Sequence, residues 1–218
     1  MLKNTSSLGA LCCRGRYHGY LILCGITYIR DMLNTMQDHA FEIDTNPAFQ
    51  RTLISGNSGY DKWYYEGEND AMNAPAQRGY QLFAGQAQCW QCHSIAGPGV
   101  LFSDNQFHNT GVSYRSKKLG LPEAFGRYEA TKFEFEKRAF KTPTLRNVAE
   151  TSPYMHDGSL STLKEVVQFY NEGGSEDPLL SPIMGSLNLS NRDVDDLVEF
   201  LRSLSGDQKY TPPSRKEL

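Results

Sequence analysis

Two stretches of the chain carry a clear helical rhythm. Leu163, Val166, Val167 and Tyr170 recur at i, i+3, i+4 and i+7, which places them along one helical face. Thr162 and Glu165 stand ahead of them as a T-x-x-E capping box, and Gly173-Gly174 comes after them as a stop. Further on, Val194, Leu197, Val198, Leu201 and Leu204 form a second stripe. Ser190 opens it, with Asp193 three residues later, and Gly206 is expected to end it. A third helix is predicted from Ala74. Asn73 caps it, Pro75 is tolerated in its first turn, and it carries Tyr80 and Phe83 toward Cys89. From 94 to 142 there are turn signals but no sustained period. No alternating run of useful length marks a strand, so the expected fold class is all-α with long loops.

The ends and the approach to the first helix read differently. In residues 1–45, Lys3, Arg14 and Arg16 precede a short apolar run from Gly19 to Ile29. Basic residues ahead of such a run suit an export leader, but Arg30, Asp31 and Met32 come next in place of a small-x-small cleavage site. The same segment suits a truncated remnant of a lost upstream region. Residues 46–72 are rich in aromatics, with Phe49, Tyr60, Trp63, Tyr64 and Tyr65 around a turn at Asn57-Ser58-Gly59. They are expected to pack against a neighbouring domain, and a stacked aromatic cluster is also a route for electrons. The main domain is drawn at 73–210, with a tail at 211–218.

Composition sets limits. The 218 residues are 39% hydrophobic, enough for one core. Lys and Arg number 22 against 25 Asp and Glu, a net charge of −3, which gives no support to nucleic-acid binding. No run of 18 apolar residues exists to form a conventional transmembrane helix. The five cysteines are Cys12, Cys13, Cys24, Cys89 and Cys92, an odd count that does not resemble a disulfide framework.

Cys89-Trp90-Gln91-Cys92-His93 is C-x-x-C-H, the attachment signal for c-type haem. Two thiols three residues apart lie on one side of a helical turn and can add to two vinyl groups on one macrocycle edge. The next residue, His93, then reaches the iron, and its other ring nitrogen should donate to a nearby acceptor. A zinc site would need a second ligand pair, and a thioredoxin-like dithiol a βαβ context; neither is present. One covalently bound haem c is therefore expected. For the second axial position the residues leave His108, Met155, His156, Tyr170 and Met184 open.

From about residue 46 onward the chain resembles the C-terminal, electron-transfer half of the bacterial di-haem cytochrome c peroxidase and MauG family. The segments that carry the likeness are Phe49-Gln-Arg-Thr-Leu-Ile-Ser-Gly-Asn-Ser58, Arg78-Gly-Tyr-Gln-Leu-Phe83 leading into the haem motif, and Phe107-His-Asn-Thr-Gly-Val112. Phe140-Lys-Thr-Pro-Thr-Leu-Arg-Asn-Val148 and Thr151-Ser-Pro-Tyr-Met-His-Asp-Gly158 come next in the same order. The resemblance implies a class I cytochrome c-like haem domain. It also implies Tyr170 as the distal iron ligand, at the position where peroxidases carry methionine and MauG-like members tyrosine, with Met155 as runner-up. Arg146 is implied as a haem-propionate partner. Backbone carbonyls of Thr151 and Pro153 match part of a calcium site whose side-chain ligand lies in the family's other domain, so the resemblance implies only half of a calcium site here.

The chain also departs from that family. Members carry two C-x-x-C-H motifs, and these 218 residues carry one. The motif not found is that of the peroxide-reacting haem. The expectation is an oxidoreductase module that transfers electrons through a single haem, with a small redox protein as donor or acceptor and a separate polypeptide holding a peroxidatic haem. The alternatives are a peroxide-reducing cytochrome c peroxidase acting at this haem, and a non-functional remnant. Haem c attachment is completed outside the bacterial cytoplasm, so the resemblance implies a periplasmic location.

Overall fold

A computed structural model describes residues 55–96 and 100–206. The chain divides into two units, Met1–Ile54 and Ser55–Leu218, and the described residues belong to the second. The leader reading of residues 1–45, the cysteines Cys12, Cys13 and Cys24, and the 211–218 tail lie outside the described residues.

Three helices begin on side-chain caps that the sequence spells out, and a fourth cap precedes them. Ser58 accepts from the Asp61 amide and Asp61 accepts from the Ser58 amide, which starts α1 (Gly59–Tyr65). Asn73 accepts from the Ala76 amide at 2.8 Å and starts α2 (Ala74–Ala84), with proline in the first turn as expected. Two further helices, α3 (Val112–Lys118) and α4 (Tyr128–Thr131), occupy the stretch that shows no period. The reason is local: α3 buries Val112, Ser113 and Ser116, a mostly polar face that leaves no apolar rhythm. Capping boxes at Thr162/Glu165 and Ser190/Asp193 start α5 (Leu163–Asn171) and α6 (Asn191–Arg202). α6 closes on Ser203, ahead of Gly206, and Leu204 reaches the core from beyond the helix.

The all-α expectation needs one correction. β1 (Phe107–His108) and β2 (Phe140–Lys141) form an antiparallel pair, Phe107 opposite Lys141 and His108 opposite Phe140. At two residues each, these strands are too short to leave an alternation in the sequence. The fold is thus mainly helical, with a minimal β ribbon between long loops.

The main core lies where α2 crosses α6. Phe83 of α2 meets Phe200 of α6 with ring centroids 5.0 Å apart, and Tyr60 and Phe102 close the cluster. Each such buried side chain is worth about 1.5–3 kcal/mol. The segment expected to face another domain therefore supplies part of this core: Tyr60 is fully buried in it, and Tyr64 stacks on Tyr60 from the surface. The crossing itself depends on Gly79. A Cβ there would run into the Asp196 carbonyl and the Phe200 side chain. Beside it Arg78 grips the Asp196 carboxylate with two hydrogen bonds of 2.7 and 2.8 Å. α5 packs against α6 through Leu163 and Val167, while Phe169 turns to a smaller cluster with Val112 and Leu160.

The loop-rich side has a polar centre. Arg138 donates to both oxygens of Asp177 at 2.6 Å and to Glu123 at 2.9 Å, and Asn109 also donates to Asp177. The Asp177 side chain is 0% exposed. Burial alone would raise its pKa, but the hydrogen bonds from Arg138 and Asn109 outweigh that and hold the carboxyl below the usual range.

Gly79→Ala should lower unfolding stability by about 3 kcal/mol, measured by denaturant titration, because the clash is with backbone. Arg138→Gln should cost about 3–5 kcal/mol by leaving a buried carboxylate unpaired. Because the folded Asp177 carboxyl is depressed, its stabilisation is present above about pH 4 and is lost as pH falls through the folded value. The wild-type thermal midpoint should therefore drop in acid, and Arg138→Gln should flatten that drop.

Candidate cofactor site

α2 ends at Gly85, and the chain turns through Gln88, whose φ of +53° directs the next residues into a single tight turn, Cys89–Gln91. The His93 amide donates to the Cys89 carbonyl at 2.9 Å. That turn puts Cys89, Cys92 and His93 together on the wall of a cavity of about 370 Å³, within the usual range for cofactor clefts, about 300–1,000 Å³. Apolar groups complete much of the lining, including Val112, Leu145, Val148, Val166 and Leu187.

The acceptor for His93 is the carbonyl of Phe102, 2.8 Å from Nδ1. Burial pushes the His93 pKa down, so the ring is favoured in its neutral form. A neutral imidazole with Nδ1 donating to a carbonyl presents Nε2 as its ligating atom. Phe102 is itself held at φ +52° with its side chain 0% exposed in the core. A bulky residue in the left-handed region costs about 1–3 kcal/mol, and the surrounding structure must sustain it. Ser103 donates to the Thr142 carbonyl, and Thr144 to the Leu101 carbonyl, so residues 101–103 are stitched to 142–144. Nothing in the spacing of C-x-x-C-H reveals this partner. The Thr-Pro-Thr-Leu-Arg segment that forms half of it is visible in sequence, but its task is not.

The thiols suit covalent attachment better than metal coordination. Burial pushes Cys89 up to about 12 and Cys92 up to about 11, so both stay protonated near neutral pH. A neutral thiol supplies both the sulfur and the hydrogen that add across a vinyl double bond, whereas zinc requires thiolate. No group of three or more His, Cys, Asp or Glu residues is arranged to hold a metal ion among the described residues. Two thiols, one oriented imidazole and a wide apolar cavity fit a haem attached through two thioethers.

All five candidates for the opposite axial position border the cavity: His108, Met155, His156, Tyr170 and Met184. They differ in what already holds them. His108 Nε2 lies 2.8 Å from the Asp104 carboxylate, and the His156 ring stacks on Phe140 at 3.7 Å. Met155 and Met184 lie in loops, Met155 at φ +69°. Tyr170 is the one on a helix, α5, with no hydrogen bond to its hydroxyl among the described residues. Burial raises the Tyr170 pKa, and the Cys92 and Cys89 thiols opposite add to that rise.

Two expected sites fare differently. Arg146, expected beside a propionate, is not among the residues that line the cavity. Its guanidinium is anchored in the core: Nε donates to the Val100 carbonyl at 2.8 Å and Nη1 to Asp61 at 2.8 Å, over the Phe102 and Tyr60 rings. Thr151 and Pro153 do border the cavity, with no acidic cluster beside them among the described residues.

Residues 76–205 match the cytochrome c family. The methylamine utilization protein MauG of Methylorubrum extorquens is 39% identical over 160 residues, covering 73% of this chain and 42% of that protein. The cytochrome c551 peroxidase of Nitrosomonas europaea is 36% identical over 78% of this chain and 47% of its own length. The chain thus spans less than half the length of these curated relatives. Among solved structures, a MauG-like protein associated with microbial copper homeostasis aligns with TM-score 0.60 and 30% identity, over 73% of this chain and 55% of that one.

If the cavity takes haem through Cys89 and Cys92, protein made with the haem-maturation machinery should keep one haem's mass after acid–acetone treatment. Cys89→Ser with Cys92→Ser should lose all of it, as read by intact mass and a pyridine haemochrome spectrum.

Proposed function

The chain belongs to the cytochrome c family, and we propose that it is an electron-transfer module of the MauG and cytochrome c peroxidase kind, carrying one covalent haem c between His93 and Tyr170. The observation that carries this reading is the shared cavity wall of Cys89, Cys92 and a His93 ring whose Nδ1 is tied to a carbonyl. Bound haem supplies a one-electron ferric/ferrous couple. Everything else is the work of the polypeptide.

Cys89 and Cys92 would hold the haem through two thioether bonds. His93 would ligate the iron through Nε2, and the Phe102 carbonyl on Nδ1 keeps its ring from turning. Val112, Leu145, Val148, Val166 and Leu187 exclude water, so that changing the iron charge moves little solvent. The cavity opens past Gln88, Lys141, Thr144 and Ile183, which are exposed and give a redox partner a short approach.

Tyr170 is the preferred opposite ligand because a helix holds it and its hydroxyl is uncommitted. Its raised pKa keeps the phenol neutral until a cation at the oxygen takes the place of the proton. A tyrosinate there favours ferric iron and lowers the potential; methionine would raise it. Were His93 and Tyr170 both to hold the iron, peroxide would find no open position on it, which would favour transfer over peroxide turnover. The names of the relatives favour a second reading, reduction of hydrogen peroxide at this iron after Tyr170 or Met155 leaves. The proposed setting is the periplasm. A small redox protein would serve as donor or acceptor, and a separate polypeptide with a peroxidatic haem would complete the chemistry.

Tyr170→Phe should change the ferric absorption and magnetic circular dichroism spectra, raise the midpoint potential and speed the reaction with hydrogen peroxide in stopped flow. An unchanged spectrum rejects Tyr170. A methionine–iron band in the wild type moves the assignment to methionine, and its loss in Met155→Leu then assigns Met155. Fast peroxide turnover by the unmodified protein supports the second reading.

A further inference from the structure

The proximal histidine is oriented by a backbone carbonyl, and a carbonyl has no rotamer of its own; it points where its peptide is held. Phe102 sits in the left-handed region at φ +52°, a conformation a phenylalanine does not keep unaided. On its C-terminal side Ser103 donates to the Thr142 carbonyl, and the Asp104 amide to the Cys92 carbonyl at 2.8 Å. On its N-terminal side Thr144 holds the Leu101 carbonyl and Arg146 holds the residue before it. Nε donates to the Val100 carbonyl, and the guanidinium carbon lies 5.2 Å from the Phe102 ring centroid. Arg146 is fixed in turn by Asp61 at 2.8 Å and Ser58 at 3.3 Å, the two residues that cap α1. Its side chain is 5% exposed, so these contacts are not traded with solvent.

We infer that Arg146 is a positioning residue for His93: by anchoring Val100 and supporting Phe102 it aims the Phe102 carbonyl at Nδ1, and so sets how strongly the imidazole donates to the iron. A firmer Nδ1–H···O=C bond makes the imidazole more basic and favours ferric iron; a looser one does the reverse. The planar fork of arginine suits this post, since it reaches a carbonyl and a carboxylate at once, which a lysine ammonium does not do with the same geometry. Asp61 belongs to the same device, one step further from the iron. The inference rests on the cavity holding haem c, and the two can fail separately.

The test compares haem-loaded wild type with Arg146→Gln, Arg146→Lys and Asp61→Asn, with Arg138→Gln as a control that weakens the fold through Asp177 and Glu123, side-chain partners outside the Phe102 segment. Intact mass first shows whether haem is attached; a wild type without it defeats the haem reading itself. With haem retained, Arg146→Gln should raise the midpoint potential. In the ferrous Tyr170→Phe background it should also lower the iron–histidine stretching frequency by resonance Raman. Arg146→Lys should shift both less, Asp61→Asn should shift both in the same direction, and Arg138→Gln should leave both unchanged. Wild-type values in folded Arg146→Gln overturn the inference, as does an equal shift in Arg138→Gln. If Arg146→Gln yields no folded protein, Asp61→Asn decides, and an unchanged potential there overturns it.

Discussion

The site depends on one hydrogen bond, from His93 Nδ1 to the carbonyl of Phe102. The C-x-x-C-H turn can deliver an imidazole to the cavity, but a single bond to the backbone leaves the ring free to rotate. A carbonyl at 2.8 Å removes that freedom and selects the tautomer. Its acceptor comes from a residue in an unfavourable backbone conformation, buried in the centre of the core. Core and site are therefore continuous here: Phe102 contributes its ring to one and its carbonyl to the other.

This continuity explains the arrangement of the helices. α2 carries Phe83 under the haem motif, and α6 crosses it closely because Gly79 has no side chain. Tyr60 enters from α1 to finish the cluster against Phe102 and Phe200. α5 faces two ways, with Leu163 and Val167 on the main core and Val166 and Tyr170 on the cavity. One helix thereby ties the far wall of the cavity to the same packing that supports the near wall.

Much of this was legible in the residues. The caps at Asn73, Thr162 and Ser190 announced three helices because capping is local chemistry, complete within four residues. Cys89, Cys92 and His93 were legible for the same reason. What the sequence hid was non-local or backbone-borne. Phe102 acts through a carbonyl, which every residue possesses. α3 buries serines, which leave no hydrophobic period. Arg146 stood in a recognisable motif, yet its partners Asp61 and Val100 lie 85 and 46 residues away. The aromatic run before α2 was visible, but only the structure shows it closing this core.

The cluster around Arg138 has a consequence for motion. Glu123, Asn109 and Asp177 belong to three separate loops, and each is bonded into the same buried knot. Loops that share one hub do not flutter independently, since loosening any one takes a hydrogen-bond partner from a buried group that the others also hold. The long segments beside the cavity should thus behave as a single cooperative plate, opening to solvent all at once or staying shut.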